Sequence, residues 1–544
     1  MKRLKLTVLL AVPLSLMGQG PSPVITRVAN AASLAPSPYD AIAPSSLITI
    51  FGRNLAPSPA TAPASEWPES LNGVRVRIRG KLARLQYVSP GQINMQAPPD
   101  LLNSSETRGS GTAIVETESG GTSEPFAVGI SSASLGVFTQ NGSGCGPGAI
   151  LNRAVDGSVQ LNTPDTPVEP GGVISVYLTG LGPPFADPPA GVPAPPTGRL
   201  LQVNGGWSTF GLFRIPTTIP EIYYAGRAPG FVRLDQVDTH VPDGTPEGCA
   251  IPLEVGGFQS YSQPVTLSVR RGPGPCVESP PARSGEVRIQ TVTTSGPGVG
   301  PPVVASTVDA SFTQAPGNLL VPPPAPPART PGICSCGGGG ERFGPDCPVP
   351  GVSRVGAGGI TISTGAGGPF SPGLFLSPLR GPDGGITYDT KTFPSVLGAG
   401  RIAVVASGDA VGSFFASFEH PALVTPQTVL PPDTRIPRNR PFRFAWAGGS
   451  PNVNVRMRLI SETSNPRSYI VCDCFARGDA GFVEVPTFPL TANGMRIDVL
   501  PQLLSGPARV EFEVTPVQQP TTNATDRVSL TWSQKWFYYG LRLQ

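Results

Sequence analysis

The sequence is short of the residues on which common hydrolases depend. It contains two histidines, His240 and His420, and neither belongs to an H-E-x-x-H zinc motif. No serine is flanked by glycines as G-x-S-x-G, the nucleophile motif of α/β-hydrolases. A catalytic triad or a pair of carboxylates can be assembled by folding alone, so these missing motifs do not exclude every enzyme. We predict a protein that is not an enzyme, and place any hidden active site in residues 285–544.

The sequence also lacks a strong excess of positive or negative charge, and it has few long apolar runs. The net charge is +3 and charged residues make up 14% of the chain, so the composition indicates neither nucleic acid nor an anionic membrane surface as a partner. After the N-terminus, no apolar run approaches the roughly 20 residues that a transmembrane helix requires. No D-x-D-x-D-G run indicates a calcium loop. We therefore expect no cofactor, no bound metal and no membrane span.

Glycine and proline, in contrast, are abundant, with 67 and 68 residues. The hydrophobic residues, 39% of the chain, fall in short patterned runs. This combination indicates many short strands joined by turn-rich loops. Alternation with period two is clear at residues 74–79 and 442–446, and no window has helical periodicity. We predict an all-β protein built from β-sandwiches.

One ten-residue stretch occurs twice, as LITIFGRNLA at 47–56 and VISVYLTGLG at 173–182. Each copy follows a proline-bearing turn, and the offset is 126 residues (173 − 47). Further along, each copy has a tyrosine followed by a Pro-Gly turn, at Tyr87 and at Tyr224. A shared order of strand and turn at one spacing indicates two related units in tandem.

The first twenty residues have the pattern of a secretory signal peptide. Lys2, Arg3 and Lys5 precede a short apolar run that ends at Met17. A basic start and a short apolar segment are typical of export signals. We therefore expect the protein in the periplasm, at the cell surface or outside the cell.

The eight cysteines suit an oxidising compartment. We predict a disulfide between Cys145 and Cys249, because both lie in the second repeat unit, near its start and before its last strand. The Cys-x-Cys pairs at 334/336 and 472/474 could instead hold zinc, but structural zinc sites prefer two to four residues between paired ligands. We favour disulfides, and the pairing of the remaining six cysteines stays open.

Turn signals and strand patterns divide the chain into six parts. These are a signal peptide at 1–20, a sandwich at 22–130, a second sandwich at 131–271, a linker at 272–300, a Gly/Pro-rich β region at 301–420 and a C-terminal β-sandwich at 425–544.

Three phrases carry a resemblance to a known family: VSPGQINMQAP at 88–98, NTPDTPVEPGGVISVYLTGLGPP at 162–184 and APGFVRLDQVDTHVP at 228–242. They resemble an uncharacterised C-terminal domain of acidobacterial (Solibacter-type) secreted proteins. That family pairs two immunoglobulin-like folds similar to IPT/TIG modules. Over about residues 24–271 the resemblance implies secretion and tandem immunoglobulin-like sandwiches, with no activity or ligand to carry over. The chain departs from the family by placing the pair at its N-terminal end, and we expect its C-terminal sandwich to be immunoglobulin-like as well.

Two sets of side chains are candidates for a ligand face. Arg75, Arg77 and Arg79 share the solvent side of a predicted strand and could bind an anionic polysaccharide. We favour the other interpretation, a solvated face that discourages sheet edges from pairing. Trp67 and Trp207 lie in loop-like contexts, where flat rings are available to stack on sugars.

We predict an exported, non-enzymatic protein that works as a structural, adhesive or interaction module. Its expected partner is a surface protein or an extracellular polysaccharide. The alternative hypothesis is a carbohydrate-binding protein, and an enzyme is the third.

Overall fold

The computed structural model describes the following residues: 21–34, 41–103, 106, 108–119, 121–182, 188–195, 206–210, 215–216, 222–257, 260–295, 303–317, 334–340, 347–348, 350–364, 373–393, 400–420, 424–437, 441–462, 468–485, 506–516 and 526–543. The predicted signal peptide at 1–20 lies outside them. Within these ranges, no helix has both the length and the hydropathy needed to cross a bilayer.

The chain divides into two compact units. The first contains Met1–Gly136, Leu178–Val203 and Ala225–Gln236, and the second contains Val137–Tyr177, Asn204–Tyr224 and Val237–Gln544. This division does not follow the domain borders predicted from the sequence, because three segments of the predicted second sandwich, 131–136, 178–203 and 225–236, belong to the first unit.

The first sandwich consists of two facing antiparallel sheets. Its strands are β1 Val24–Asn30, β2 Leu47–Arg53, β3 Ala60–Thr61, β4 Val74–Ile78, β5 Lys81–Leu82, β6 Arg84–Val88, β7 Gln92–Gln96, β8 Arg108–Thr117, β9 Gly121–Thr122 and β10 Phe126–Ser131. One sheet has the order β1-β2-β7-β6-β3, and the other has β10-β8-β4-β5 with β9 beside β8. Ile48 and Ile93 from the first sheet and Val115 from the second lie in one apolar core. The predicted sandwich is confirmed.

The second repeat continues the all-β pattern. Its strands are β11 Gly136–Val137, β12 Ile150–Arg153, β13 Val159–Leu161, β14 Val173–Thr179, β15 Gly206–Phe210, β16 Ile215–Pro216, β17 Ile222–Arg227, β18 Asp235–His240, β19 Gly248–Gly257, β20 Ser260–Tyr261 and β21 Val265–Val269. One sheet has the order β13-β12-β14-β18-β17 with β11 beside β14. The other has β16-β15-β19-β20 with β21 beside β19.

The two copies of the repeated stretch occupy equivalent places. Strand β2 lies between β1 and β7, with β6 next, and β14 lies between β12 and β18, with β17 next. The first five residues of β2 and β14 also share one burial order: half-buried, three buried, half-buried. The predicted duplication is therefore seen in both strand order and burial.

A buried polar network holds the chain just after β14. Gly180 has a φ of +92°, and a Cβ there would lie 1.8 Å from the carbonyl oxygen of Ser134, so only glycine fits. The next amide, of Leu181, donates to Asp235 Oδ2 at 3.0 Å. Arg227 forms an ion pair with Asp235 and donates from Nη2 to the carbonyl of Gly182 at 3.0 Å. These contacts fix the path of residues 180–182.

The C-terminal half is built around one large sheet. Its strands are β22 Pro281–Ser295, β23 Val303–Pro316, β24 Cys334–Gly340, β25 Ser353–Arg354, β26 Ile360–Thr364, β27 Leu374–Leu376, β28 Pro378–Arg380, β29 Ile386–Tyr388, β30 Lys391–Phe393, β31 Gly400–Ala406, β32 Phe414–His420, β33 Thr425–Pro426, β34 Arg435–Ile436, β35 Phe442–Ala447, β36 Val453–Glu462, β37 Ser468–Arg477, β38 Phe482–Val485, β39 Gly506–Pro516 and β40 Arg527–Leu543, with a short 3-10 helix at Gly478–Ala480.

The large sheet has the order β24-β37-β36-β39-β40-β22-β23-β25, with β30 beside β23 and β34 beside β40. A four-stranded sheet has the order β27-β26-β31-β32, and a three-stranded sheet has β33-β35-β38. Strands β28 and β29 form a separate hairpin.

One face of the large sheet is covered by both smaller sheets. Phe312 on β23 packs against Phe414 of the four-stranded sheet, with 6.1 Å between ring centroids. Phe512 on β39 packs against Phe444 of the three-stranded sheet, with 4.9 Å between centroids. All four rings belong to one apolar core that extends from Val287 to Leu543. Residues on both sides of the domain border predicted near 420 therefore share one core.

The prediction of a linker at 272–300 is wrong for Pro281–Ser295, which form β22. This strand pairs in parallel with β40 and antiparallel with β23. Val287, Ile289 and Thr291 alternate inward along it and are buried. The glycine, proline and serine on either side of the segment hid that alternation. The segment lies inside the sheet because it pairs with β23 on one side and with β40, the last strand of the chain, on the other.

The predicted disulfide between Cys145 and Cys249 is wrong. Cys145 is bonded to Cys347, and Cys249 is bonded to Cys276. Their Cα–Cα distances are 5.4 and 5.3 Å, within the range that a disulfide requires. The fold, and not separation along the chain, decides which cysteines come within that distance.

The Cys-x-Cys pairs lie on neighbouring strands of the large sheet. In the register of β24 and β37, Cys334 lies opposite Cys474 and Cys336 lies opposite Cys472. Cys472 and Cys474 each take part in a disulfide bond. Neither is therefore available as a thiolate ligand for the zinc ion that the sequence suggested.

Candidate functional site

The predicted basic face lies on β4. Because β4 alternates, Val74, Val76 and Ile78 point into the core while Arg75 and Arg77 point outward. Arg79 follows the strand in a left-handed conformation, with φ +51°. The structure thus places two of the three arginines on one strand face and the third in the following turn.

Carboxylates offset most of this positive charge. Arg77 Nε lies 2.7 Å from Glu116 Oε1, and Arg79 Nη1 lies 3.2 Å from Glu106 Oε2. The hydrogen bond from Arg79 lowers the pKa of Glu106, so that carboxylate stays charged. Further along, Lys81 pairs with Asp100. The face is therefore a set of ion pairs with little net charge, the arrangement of a solvated surface.

The two candidate tryptophans are not both exposed. Trp67 was predicted to lie in an open loop, but it is buried, with 6% of its surface exposed beside Ala62 and Val232. Its amide also donates to the carbonyl of Gly191 at 3.0 Å. The Trp67 ring is therefore unavailable for stacking on a sugar. The backbone of Trp207 lies in β15, and its side chain is outside the described residues.

The two histidines lie at the ends of strands. His240 ends β18 and His420 ends β32, which belong to different sheets. Over the described ranges, no three side chains of His, Cys, Asp or Glu gather closely enough to hold a metal ion.

The structure exposes an apolar row that sequence reasoning missed. Phe375 on β27 lies opposite Thr361 on β26, Thr361 lies opposite Val405 on β31, and Val405 lies opposite Phe415 on β32. These four residues, the apolar row, cross the outer face of the four-stranded sheet in one line. Phe375, Val405 and Phe415 are 56%, 46% and 46% exposed, and Thr361 is exposed as well.

The inner face of the same sheet explains why these side chains point outward. Ile360, Ile362 and Val404 are buried in the core of the C-terminal half, and their neighbours along each strand must face the other way. The ring of Phe375 also lies against Gly359, where a Cβ would meet Phe375 Cζ at 2.5 Å. Glycine therefore lets this ring lie close to the sheet surface.

The outer face of the large sheet has the opposite chemistry. Arg456 Nε donates to Asp473 Oδ1 at 2.8 Å, and Arg458 Nη1 donates to Glu511 Oε2 at 2.8 Å. The hydrogen bonds to Asp473 raise the pKa of Arg456. Acids and bases alternate across these strands, so their charges are paired with one another. The apolar row contrasts sharply with this face.

The sequence contains one signal for the apolar row, because two of its members directly follow another apolar residue. Residues 404–405 are Val-Val and residues 414–415 are Phe-Phe. Two successive apolar residues in a strand supply both faces of a sheet, as happens when both faces are covered. A search for period-two alternation alone passes over this pattern.

No family model matches the sequence, and no curated protein matches it. Among solved structures, the chain is similar to the FN1–FN3 domains of chicken CNTN1, at 10% identity and a TM-score of 0.14, over 66% of this chain and 100% of that one. It is also similar to dimeric latent PorU from Porphyromonas gingivalis, at 12% identity and a TM-score of 0.17, over 76% of this chain and 36% of that one. The eight N-terminal Ig domains of Down syndrome cell adhesion molecule match at 11% identity and a TM-score of 0.10, over 94% of this chain and 49% of that one.

Proposed function

We propose that the protein is an exported, non-enzymatic β-sandwich protein that serves as an interaction module at the cell surface or outside the cell. The observation that carries this proposal is the apolar row, because exposed contiguous apolar surface on a folded protein commonly marks an interaction site. The faces around β4 and on the large sheet, in contrast, carry charged side chains that pair with one another.

Export is supported by the disulfides. The bonds Cys145–Cys347 and Cys249–Cys276 belong to a compartment that keeps thiols oxidised, and the first twenty residues have the pattern of a signal peptide. Kinship with the acidobacterial secreted-domain family is part of the same proposal. It is supported by the three shared phrases and by the matching strand orders around β2 and β14.

Fractionation of cells that express the full chain tests export. We expect an oxidised product in the exported fraction, with a mass reduced by the loss of about residues 1–20. The control variant Leu9→Arg/Leu10→Arg interrupts the apolar part of the signal and should stay inside the cell at full length. Wild-type protein that keeps its signal and its reduced thiols in the cytoplasm would refute export.

Binding of the purified protein to isolated envelopes of the producing cells tests the interaction role. We expect saturable binding that is lost in Phe375→Ser/Phe415→Ser and kept in Val277→Ser/Val429→Ser. The control pair removes side chains that are 65% and 78% exposed and lie outside the row. Equal binding by all three proteins would refute the role of the row, and no saturable binding would refute the function.

A further inference from the structure

The two Cys-x-Cys pairs have few ways of forming bonds. The two disulfides that lie outside β24 and β37 take up four of the eight cysteines. Cys472 and Cys474 are bonded as well, which leaves Cys334 and Cys336 as their partners outside β37. The alternative within the chain is a bond between Cys472 and Cys474 themselves.

Strand geometry selects between these bonds. Cα atoms two positions apart in one strand are separated by about 6.6–6.8 Å, at the upper limit of what a disulfide spans. Directly opposite residues of an antiparallel pair have Cα atoms about 4.5–5.5 Å apart, well within that span. Cys334 lies opposite Cys474, and Cys336 lies opposite Cys472. Diagonal pairs across the two strands are about 7–8 Å apart, which is too far.

We propose that Cys334–Cys474 and Cys336–Cys472 are cross-strand disulfides, and that together they form a redox-sensitive strap that fastens β24 to the large sheet. In the described part of the chain, β24 ends that sheet. Cys472 and Cys474 are 1% and 0% exposed and belong to the apolar core, so the strap lies on the core side. This inference does not depend on the apolar row or on the proposed function.

Strand β24 has little besides the strap to hold it in place. Its sequence is Cys-Ser-Cys followed by four glycines, and glycine weakens a strand because it has no side chain to pack. Strand β37 is held from its other side as well, because it pairs with β36 along Asn454–Glu462. Opening the strap should therefore release β24 and leave β37 in the sheet.

A dithiol reductant opens the strap. For each bond, the S–S bond breaks, two cysteine thiols form, and the two thiols of the reductant become a disulfide by giving up two electrons and two protons. The sulfurs become accessible when the end of the sheet opens locally, and a strand with few packed side chains opens more readily than a core strand. Release of β24 then uncovers the backbone N–H and C=O groups along one side of β37.

Mass spectrometry of a tryptic digest of the unreduced wild-type monomer tests the bonds without any substitution. Trypsin cuts after arginine, so one Cys-x-Cys pair falls in peptide 330–342 and the other in peptide 468–477. The two peptides should be found joined, lighter than their sum by the four hydrogens that two disulfides remove. Separate peptides, as a Cys472–Cys474 bond would give, overturn the proposal.

A count of free thiols tests which cysteine bonds to which. Cys334→Ser/Cys474→Ser should keep the bond between Cys336 and Cys472, and it should show no free thiol when it is denatured without reductant. The matched variant Cys334→Ser/Cys472→Ser loses the same number of cysteines but leaves a diagonal pair, and it should show two free thiols. Equal counts in the two variants overturn the pairing.

Hydrogen exchange of the full mature chain, with and without dithiothreitol, tests the release of β24. Reduction should raise the exchange rate of β24 at least about tenfold. About half of the β37 amides should follow, because alternate amides of a strand point to the same neighbour. Peptides from residues 22–130, which contain no cysteine, provide the internal reference and should not change. Reduced wild type in which β24 stays protected overturns the strap.

A variant without the strap separates its effect from that of the other two disulfides. Cys334→Ala/Cys336→Ala/Cys472→Ala/Cys474→Ala should exchange at β24 like reduced wild type before any reductant is added. Dithiothreitol should then change β24 by less than about twofold. A folded variant in which β24 is as protected as in oxidised wild type overturns the proposal. If the variant does not fold, the comparison of oxidised with reduced wild type still decides it.

Discussion

Replacing Asp235 by asparagine should strongly destabilise the chain around residues 180–182. Asp235 is completely buried, and Arg227 is 3% exposed. Their ion pair also holds the backbone on both sides of Leu181, through the Leu181 amide and the Gly182 carbonyl. Asp235→Asn keeps an oxygen that can accept from the Leu181 amide but removes the negative charge. The buried guanidinium of Arg227 then loses the carboxylate charge with which it pairs in the wild type.

The burial of the Arg227–Asp235 pair sets how much stability Asp235→Asn should lose. Removing one partner of a buried ion pair costs about 3–5 kcal/mol, mostly because the other charge is stranded. The matched control is Glu116→Gln, which breaks the Arg77 pair, where the two side chains are 36% and 32% exposed. Exposed pairs contribute only about 0.2–1 kcal/mol. Asp235→Asn should therefore lower the free energy of unfolding several times more than Glu116→Gln does.

Native-state hydrogen exchange measured by mass spectrometry resolves this effect locally. Peptides that cover β14 and β18 should exchange roughly 150- to 4,000-fold faster in Asp235→Asn. In Glu116→Gln, the exchange rates of the peptides that cover β4 and β8 should change by less than about fivefold. Adding Arg227→Met removes the stranded charge, so Arg227→Met/Asp235→Asn should recover part of the protection. Asp235→Asn that exchanges like Glu116→Gln, or a double variant less protected than the single one, would refute the reasoning.

Three further predictions concern the disulfides, a titrating carboxyl and the basic face. Cys145→Ser/Cys347→Ser should lower the free energy of unfolding by up to about 5 kcal/mol, and Cys249→Ser/Cys276→Ser by about 3.5 kcal/mol. The first loss is larger because that bond spans 202 residues and the second spans 27. Equal urea midpoints for the two variants would contradict this order. Burial raises the pKa of Asp309 above its ordinary value of 3.8, so the contribution of Asp309 to wild-type stability should fall as pH rises from about 3.8 through the raised pKa. Asp309→Asn should therefore melt above wild type at neutral pH and lose that advantage below pH 3.8, and a pH-independent difference in melting temperature would argue against burial as the cause. Arg75→Ser/Arg77→Ser/Arg79→Ser should elute from heparin close to wild type, because Glu116 and Glu106 offset two of the three charges; a large drop in eluting salt would show that the face binds polyanions.

Much of the local structure could be predicted from residue patterns. The alternation at 74–79 predicts a strand with one buried and one exposed face, and β4 has that burial. The repeated stretch predicts equivalent strands, and β2 and β14 have equivalent neighbours. These predictions succeed because period two and turn residues act over a few neighbouring positions.

The candidate site could be predicted only in part. The exposure of Arg75 and Arg77 follows from alternation, but their neutralisation depends on acids about 40 residues further along, such as Glu116. Trp67 looked exposed because its neighbours resemble a loop, yet Val232 helps to bury it. The apolar row was missed because its four members come from four separate strands and meet only in the register of the sheet.

The amino-acid order by itself determined that this chain is all-β, that two of its units share a strand plan, and which residues of an alternating strand face inward. Each of these properties is settled within a strand or a turn. Only the tertiary structure decided which cysteines bond, that Pro281–Ser295 join the last strand, and that Phe375 and Phe415 share one exposed face. Those outcomes depend on contacts between residues far apart in the chain, and local preferences do not select among them.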